Sequence, residues 1–172
     1  VSGAAISHES AHKGEVNGIM ISPDCRHVIS CGEDGSCCVF EIMEGGSKTE
    51  VAYTVHPSES SMRSLAFSPS SPSSSSRSSS SFFACNDEGS VFGWELATGR
   101  LVYKAKHHSA SARCVTIGRE GELLVSCGWD GMVVVKPPSG PVAQSHLHSL
   151  SGSSVTSRAE SVCILSHPGT AN

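Results

Sequence analysis

Two sets of histidine, serine and aspartate recur along the chain with the same spacing. In each set the serine follows the histidine by 18 residues and the aspartate follows it by 22. The two sets are His12, Ser30 and Asp34, and His108, Ser126 and Asp130. Such residues can serve as base, nucleophile and orienting group in a hydrolase. A catalytic triad is normally assembled once, in one cleft, so the recurrence favours a structural role over a hydrolase.

A metal site built from cysteine and histidine is the second chemistry that the residue types suggest. The chain has eight cysteines and nine histidines, but no C-x-x-C pair, the usual start of a zinc site. Cys31, Cys85 and Cys127 fall at one repeated position, where a small buried residue is typical. His146 and His148 alternate along a predicted strand without an evident third ligand. We therefore expect free structural thiols, no metal site and no cofactor.

Charge and hydropathy narrow the choice of partners. The net charge is -4 and the basic residues are scattered singly, so nucleic acid is not an expected partner. No apolar run approaches the ~20 residues of a membrane span, and no secretion signal is visible. We expect an intracellular, cytoplasmic location without membrane partners. The chain begins with Val1, so we expect a processed chain or a piece of a longer one.

A repeat carries both sets of residues. The stretch 12–40 aligns with 108–136 without a gap. A middle copy starts at His56, with Ala84 in the serine position, Glu88 in the aspartate position and Trp94 six residues later. Once three local insertions are removed, the period is 42 residues. A period of this length is typical of repeat architectures.

Each repeat has the sequence chemistry of β-strands. Short runs rich in Val, Ile, Phe and Leu, such as VNGIMIS and ELLVSC, are separated by Gly, Pro, Ser and Asp-Gly pairs. Asp34-Gly35 and Asp130-Gly131 are predicted hairpin turns. No stretch has a helical period, so we predict an all-β fold built from four-stranded antiparallel blades.

The stretch AHKGEVNGIMISPDCRHVISCGEDGS resembles a WD40 repeat, and the resemblance extends over about residues 8–136. It implies a β-propeller in which the turn aspartate accepts a hydrogen bond from the histidine, the histidine contacts the strand serine, and a third-strand tryptophan completes the network. Only Trp94 keeps that tryptophan, since the other repeats have Phe40 and Lys136. The middle repeat is therefore predicted to be the least rigid. Trp129-Asp130 spells the family's dipeptide out of register, at a turn.

The repeats define the predicted domain organisation. Its parts are 1–11, an outer strand of a preceding blade with a connector; 12–55, repeat 1; 56–107, repeat 2 with a disordered serine-rich loop at 68–81; 108–150, repeat 3; and 151–172, the truncated start of a further repeat. A closed propeller needs 4 to 8 blades. We expect an incomplete segment of a larger propeller, which needs remaining blades from its parent or another chain. The alternative is a small free-standing sandwich.

The resemblance implies an interaction scaffold for protein partners in a multiprotein complex, without catalysis. Asn17, Arg63 and Arg113 open the first strands and are the predicted partner-binding rim. Ser68 and Ser71 precede prolines and are predicted phosphorylation sites; the alternative is an unselected spacer. AHKGEV and SPDCRHVISCGEDG also resemble WD-repeat proteins of cilia and flagella, which gives a cytoskeletal or ciliary role as the alternative. A hydrolase or metal enzyme is the alternative of another class.

Overall fold

The computed structural model describes residues 10–43, 48–68, 80–118 and 123–138, and these residues form eleven strands and no helix. The first sheet contains β1 Val16–Ile21, β2 His27–Gly32, β3 Cys37–Ile42 and β4 Thr49–Val55. The second contains β5 Met62–Ser68, β6 Ser81–Asn86, β7 Ser90–Glu95 and β8 Leu101–Lys106. The third contains β9 Ala112–Gly118, β10 Leu123–Gly128 and β11 Val133–Lys136.

Strands in each sheet follow chain order and pair antiparallel with their neighbours. We call the three sheets blades 1, 2 and 3. The predicted all-β fold of antiparallel blades is confirmed, and each blade lies inside one predicted repeat. Residues 1–9 of the predicted outer strand and connector at 1–11, residues 139–150 of repeat 3 and the partial repeat at 151–172 lie outside the described residues.

The core lies between the blades rather than inside any one of them. Successive residues of a strand point to opposite faces, so Phe82 packs toward blade 1 while Phe83 packs toward blade 3. Ile29 and Val39 of blade 1 belong to the first interface, and Leu124 of blade 3 belongs to the second. Each fully buried side chain of this size contributes about 1.5–3 kcal/mol. Blade-on-blade packing therefore stabilises the fold and fixes the angle between blades.

The turn between the second and third strands has the same backbone in every blade. A glycine with positive φ ends it: Gly35 at 75°, Gly89 at 86° and Gly131 at 76°. Glycine adopts this left-handed conformation at little cost. In blades 1 and 3, the residue before this glycine is the aspartate of the repeated set, Asp34 or Asp130. The predicted hairpin turns thus hold the two carboxylates at one end of their blades.

Candidate functional site

The first blade brings His12, Ser30 and Asp34 together around a fully buried imidazole. His12 Nδ1 lies 3.0 Å from Asp34 Oδ1, and His12 Nε2 lies 2.7 Å from Ser30 Oγ. Ser36, which the sequence analysis did not identify, joins them: its hydroxyl donates to Asp34 Oδ1 at 2.7 Å. Because Ser30 comes from β2 and Asp34 from the turn, the imidazole ties the segment before β1 to both.

The chemistry of the acceptors fixes the proton positions in this network. An ionised carboxylate can only accept, so His12 Nδ1–H donates to Asp34 and the Ser30 hydroxyl donates to Nε2. Burial acts to raise the pKa of Asp34, but hydrogen bonds from the backbone N–H of Lys13, from Ser36 and from His12 outweigh it and hold that pKa below its usual range. Asp34 therefore stays ionised near neutral pH.

The third blade repeats this geometry. His108 Nδ1 lies 3.0 Å from Asp130 Oδ1, and His108 Nε2 lies 2.9 Å from Ser126 Oγ. The backbone N–H groups of Ser109 and Met132 also donate to Asp130. His108 is only 2% exposed and Ser126 1% exposed, so the polar atoms of this set satisfy one another inside the blade.

A second histidine extends the network of blade 3. His107 Nδ1 lies 2.8 Å from Ser126 Oγ, and Tyr103 Oη lies 2.7 Å from His107 Nε2. With Ser126 donating to His108, its oxygen accepts the His107 Nδ1–H, and Tyr103 donates to the remaining ring nitrogen. The hydrogen bonds thus run in one direction from Tyr103 on blade 2 to Asp130 on blade 3. The sequence signal for this extension is the His107-His108 doublet. The repeat alignment used only His108, so it did not identify His107.

The neutral state of His107 gives the fold a defined pH dependence. Burial, assisted by the charge of Lys136 and by His108, lowers the pKa of His107 to about 4. As pH falls from about 6.5 toward 4, the unfolded chain takes up this proton before the folded chain does, so the free energy of unfolding decreases. We expect a loss of about 1–2 kcal/mol in this window, since His107 keeps part of its solvent contact. Urea unfolding at several pH values measures it.

His107→Gln supplies the test of that assignment, because glutamine does not titrate. The variant should lose most of the pH dependence between 6.5 and 4, whereas His56→Gln, at an exposed histidine, should retain it. The carboxylates with lowered pKa, such as Asp34 and Asp130, act only at still lower pH. An unchanged pH profile in His107→Gln would assign the effect to another group.

The middle blade does not assemble this set. His56 and Glu88 are exposed, and Ala84 lacks a hydroxyl. Instead Asn86, fully buried at the position of Gly32 and Gly128, accepts a hydrogen bond from Ser90 N–H at 2.9 Å. Asp34 accepts the equivalent bond from Ser36 N–H in blade 1. The asparagine thus replaces one function of the missing aspartate and gives this turn a polar anchor of its own.

Trp94 belongs to an aromatic cluster and not to a hydrogen-bond network. Its ring stacks on Phe82 at 5.0 Å and on Phe92 at 5.9 Å between centroids. Trp94 and His56 line the same open cavity of about 300 Å³, but no hydrogen bond joins the two side chains in the described structure. The network role implied for Trp94 is therefore corrected: without the serine and aspartate, the indole packs against aromatic neighbours.

Each of the predicted rim residues lies in a β-bulge. Asn17, Arg63 and Arg113 are each the extra residue of a β-bulge at the start of the first strand of their blade. Bulges commonly redirect a side chain out of the sheet. Asn17 Nδ2 donates to the Met62 carbonyl at 2.9 Å, so it links blades 1 and 2.

Arg63 and Arg113 converge on a carboxylate that sequence reasoning missed. Asp87 accepts two hydrogen bonds from Arg63 and one from Ser111 Oγ at 2.6 Å, and Arg113 Nη1 lies 3.8 Å away. Arg63 is therefore mainly a structural partner of Asp87, and the carboxylate bridges blades 2 and 3. Its hydrogen bond to Arg63 lowers the pKa of Asp87. The repeat alignment did not predict this role, because the positions aligned with Asp87 carry unlike residues, Glu33 and Trp129.

Trp129 completes this group. The Arg113 guanidinium lies 4.7 Å from the centroid of the Trp129 ring, a cation–π geometry. Trp129 is 73% exposed, unlike the buried Trp94. We call Arg63, Asp87, Arg113 and Trp129 the rim cluster. It presents an exposed aromatic ring with a guanidinium over one of its faces, and the two residues are held by a bulge and a tight turn.

Other predicted sites fall partly outside the described structure. Ser68 is the last residue of β5 and pairs with Ser81 of β6, so both ends of the predicted disordered loop belong to the sheet. This corrects the boundary of that loop, because strand pairing continues to its ends. Ser71, His146 and His148 lie outside the described residues. Within residues 10–43, 48–68, 80–118 and 123–138, no cluster of metal-ligating side chains and no membrane-spanning helix occurs.

Comparison with known proteins agrees with this architecture. Residues 4–41 and 99–135 match the family model of the WD domain, G-beta repeat. The chain is similar to WD repeat-containing protein 90 of Mus musculus, 24% identical over 129 residues, which is 75% of this chain and 7% of that protein. The protein of the same name from Xenopus tropicalis is 22% identical over 147 residues, 86% of this chain and 8% of that protein. The chain spans less than a tenth of these relatives.

Two computationally designed proteins of known structure are similar in fold. Ika8 gives a TM-score of 0.61 at 20% identity, covering 75% of this chain and 35% of that chain. Ika4 gives a TM-score of 0.64 at 16% identity, covering 79% of this chain and 74% of that chain. Two segments of this chain therefore match the WD domain, G-beta repeat, and the described residues form three successive antiparallel sheets that are similar to the blades of a WD40 β-propeller.

Proposed function

We propose that this chain is a non-catalytic scaffold segment that binds a protein partner at the rim cluster. The observation that carries the proposal is the exposed Trp129 ring with the Arg113 guanidinium over it. Tryptophan and arginine are enriched among residues that dominate binding energy in protein interfaces. Large apolar side chains at the surface otherwise add little to the stability of a fold. WD repeat proteins in general serve as interaction scaffolds, which agrees with this reading.

The state of the repeated serines supports a role without catalysis. Ser30 and Ser126 are buried, and each donates a hydrogen bond to a histidine whose side chain is also buried. A nucleophilic serine needs an open approach for the substrate carbonyl. Blades 1 and 3 carry the same arrangement, as a structural element of the repeat would. The geometry therefore fits a structural role, in which buried polar side chains hydrogen-bond one another inside each blade, better than it fits acyl transfer.

The charges of the rim cluster suggest the kind of partner. Asp87 is occupied by Arg63 and Ser111 and lies at 3.8 Å from Arg113. Arg113 thus keeps donors for a further acceptor, and a guanidinium matches a carboxylate in bidentate geometry. We propose a partner segment that places an Asp or Glu against Arg113 and an aromatic or apolar side chain against Trp129.

Peptide display on the full chain tests this proposal. Peptides selected by the wild type should be enriched in acidic residues, and they should bind Trp129→Ala and Arg113→Ala at least ~10-fold more weakly, a typical loss at such positions. Val102→Ala is the matched control, because Val102 is also an exposed apolar residue but lies on the outer strand β8. Equal binding by wild type and Trp129→Ala would place the interaction elsewhere.

We also propose that blade 1 takes a further propeller blade, from the parent chain or from another chain. Strand register places Ile21, Val28, Phe40 and Val51 in one row on the face of blade 1 opposite blade 2. The equivalent row in blade 2 includes Phe67, Phe82 and Trp94, which pack against blade 1. Slower hydrogen exchange of β1 amides in the larger assembly would support this; unchanged exchange would count against it.

We propose an intracellular location, cytoplasmic, cytoskeletal or ciliary, for the protein that carries these repeats. Fluorescence microscopy of that protein in cells tests this.

A further inference from the structure

Two cysteines lie directly opposite each other at the inner edge of blade 3. Cys114 of β9 and Cys127 of β10 are paired in the antiparallel register, so their side chains lie next to each other on the same face of the sheet. Residues paired in this way have Cα atoms about 4.5–5.5 Å apart. That separation falls inside the range of about 4.4–6.8 Å that a disulfide requires.

A cysteine pair between the first and second strands occurs only in blade 3 among the three described blades. Blade 1 also pairs Cys31 with Cys37, across β2 and β3, but both of these thiols are buried. At the position of Cys127 the other blades also have a cysteine, Cys31 or Cys85, but the residue opposite is Gly18 or Ser64. The repeat alone therefore accounts for Cys127 and leaves Cys114 unexplained. Ser64 shows that a hydroxyl fits the same position of the first strand.

We propose that Cys114 and Cys127 are a reversible redox modification site, oxidised to a disulfide by hydrogen peroxide. The Cys114 thiolate attacks one peroxide oxygen, which gives Cys114 sulfenic acid and releases hydroxide. The Cys127 thiol then attacks that sulfur, so the S–S bond forms as the S–O bond breaks and water leaves. In total two thiols and one hydrogen peroxide give one disulfide and two waters. The thiols supply the two electrons, and a thiol reductant reverses the reaction.

Accessibility selects this pair over the other described cysteines. Cys114 is exposed and Cys127 half-buried, whereas Cys31, Cys37, Cys38 and Cys85 are buried. Burial raises the pKa of Cys31 and of Cys85 to about 12, so these thiols stay protonated. Burial also raises the pKa of Cys127, which suits it to the second step, after the exposed Cys114 has been oxidised. The remaining described cysteine, Cys25, is exposed and has no cysteine paired with it in the sheet.

The position of the pair connects it to the rim cluster. Arg113 is the bulge residue immediately before Cys114, and Trp129 follows Cys127 by two residues in the turn. A disulfide would hold the bulge of β9 and the end of β10 at a fixed separation. The cross-link therefore restrains the two strands that present the Arg113 guanidinium and the Trp129 ring.

Peptide mapping of the full chain after native peroxide treatment tests this inference. Trypsin cleaves after Arg113 and Arg119, so the two cysteines fall in separate peptides. With remaining thiols blocked, we expect these peptides to be recovered as one cross-linked species, two hydrogens lighter than their sum and released by a thiol reductant. Cys114→Ser, which copies Ser64, and Cys127→Ala should each abolish it, and Cys25→Ser should leave it intact.

Other products of the same treatment would contradict the inference. Recovery of Cys114 and Cys127 as separately oxidised or separately blocked peptides would show that the two thiols do not react together. A cross-link from Cys114 to another cysteine of the same chain would show that the thiols react in unfolded molecules. A cross-link between two chains would show that they react when two molecules meet. Peroxide treatment in denaturant gives the matched reference, in which the Cys114–Cys127 species should fall to a minor product.

Discussion

His108→Ala should destabilise the fold by about 2–4 kcal/mol. The substitution removes a buried ring and leaves Ser126 without its acceptor and Asp130 without its side-chain donor. An unsatisfied buried polar group costs about 1–3 kcal/mol, and the cavity left by the ring adds to that loss. His12→Ala in blade 1 should show a loss of the same size. Urea unfolding followed by the fluorescence of buried Trp94 measures both.

The middle repeat supplies the control for this prediction. His56 is the histidine before the first strand of its repeat, but it lies two residues further from that strand, its side chain is exposed, and Ala84 and Glu88 replace the serine and aspartate. His56→Ala should therefore change the free energy of unfolding by less than about 0.5 kcal/mol. If His56→Ala costs as much as His108→Ala, the repeat position itself, and not the buried network, sets the cost.

The difference between these histidines was visible in the sequence, because it depends on residue types at fixed spacing. A gap-free alignment of 12–40 with 108–136 identifies which residues share a blade position. The strand patterns and Asp-Gly turns then predicted the antiparallel blades, which the structure and the fold comparison confirm. Period and turn chemistry are local properties, so a single sequence was sufficient for the fold class.

Contacts between blades were harder to predict, since they join residues with no fixed spacing. Asp87 is linked to Arg63 and to Ser111, one from its own blade and one from the next. Neither contact follows from the repeat, because the aligned positions of Asp87 carry Glu33 and Trp129. The chain from Tyr103 through His107 to Ser126 also crosses from blade 2 to blade 3. Such pairs depend on the angle between blades, which strand patterns do not specify.

Asn86 shows a second limit of repeat-based prediction. The loss of serine and aspartate from the middle repeat suggested a weakly held blade. The lower rigidity of this blade stays a prediction. Its turn has a buried asparagine that accepts from the Ser90 N–H while its own Nδ2 has no hydrogen-bond partner among the described residues, and the blade also has the aromatic stack of Phe82, Phe92 and Trp94. A side chain at this position would clash with a histidine placed as in blades 1 and 3, so we expect the asparagine and the displaced histidine of blade 2 to depend on each other.

Gly32→Ala should destabilise blade 1 by about 3 kcal/mol through that exclusion. A Cβ at Gly32 would lie 2.5 Å from His12 Nδ1 and 2.8 Å from His12 Cγ, and 3.1 Å from Asp34 Oδ1. These separations are shorter than van der Waals contact, so the imidazole must move and lose its hydrogen bonds to Ser30 and Asp34. Gly118→Ala is the matched control, because no atom lies within 4 Å of its added Cβ; it should change stability by less than about 0.5 kcal/mol.

The double variant His12→Ala with Gly32→Ala separates steric exclusion from any other effect of the methyl group. Because the two closest atoms to the added Cβ belong to the His12 side chain, removing that side chain makes room for it. The double variant should therefore be more stable than the sum of the single effects predicts, by about 1–3 kcal/mol in a double-mutant cycle. Additive losses would show that Gly32 is required for its backbone conformation instead. A coupling of the expected size would explain why a histidine at this position accompanies glycine in blades 1 and 3, while asparagine accompanies an exposed histidine in blade 2.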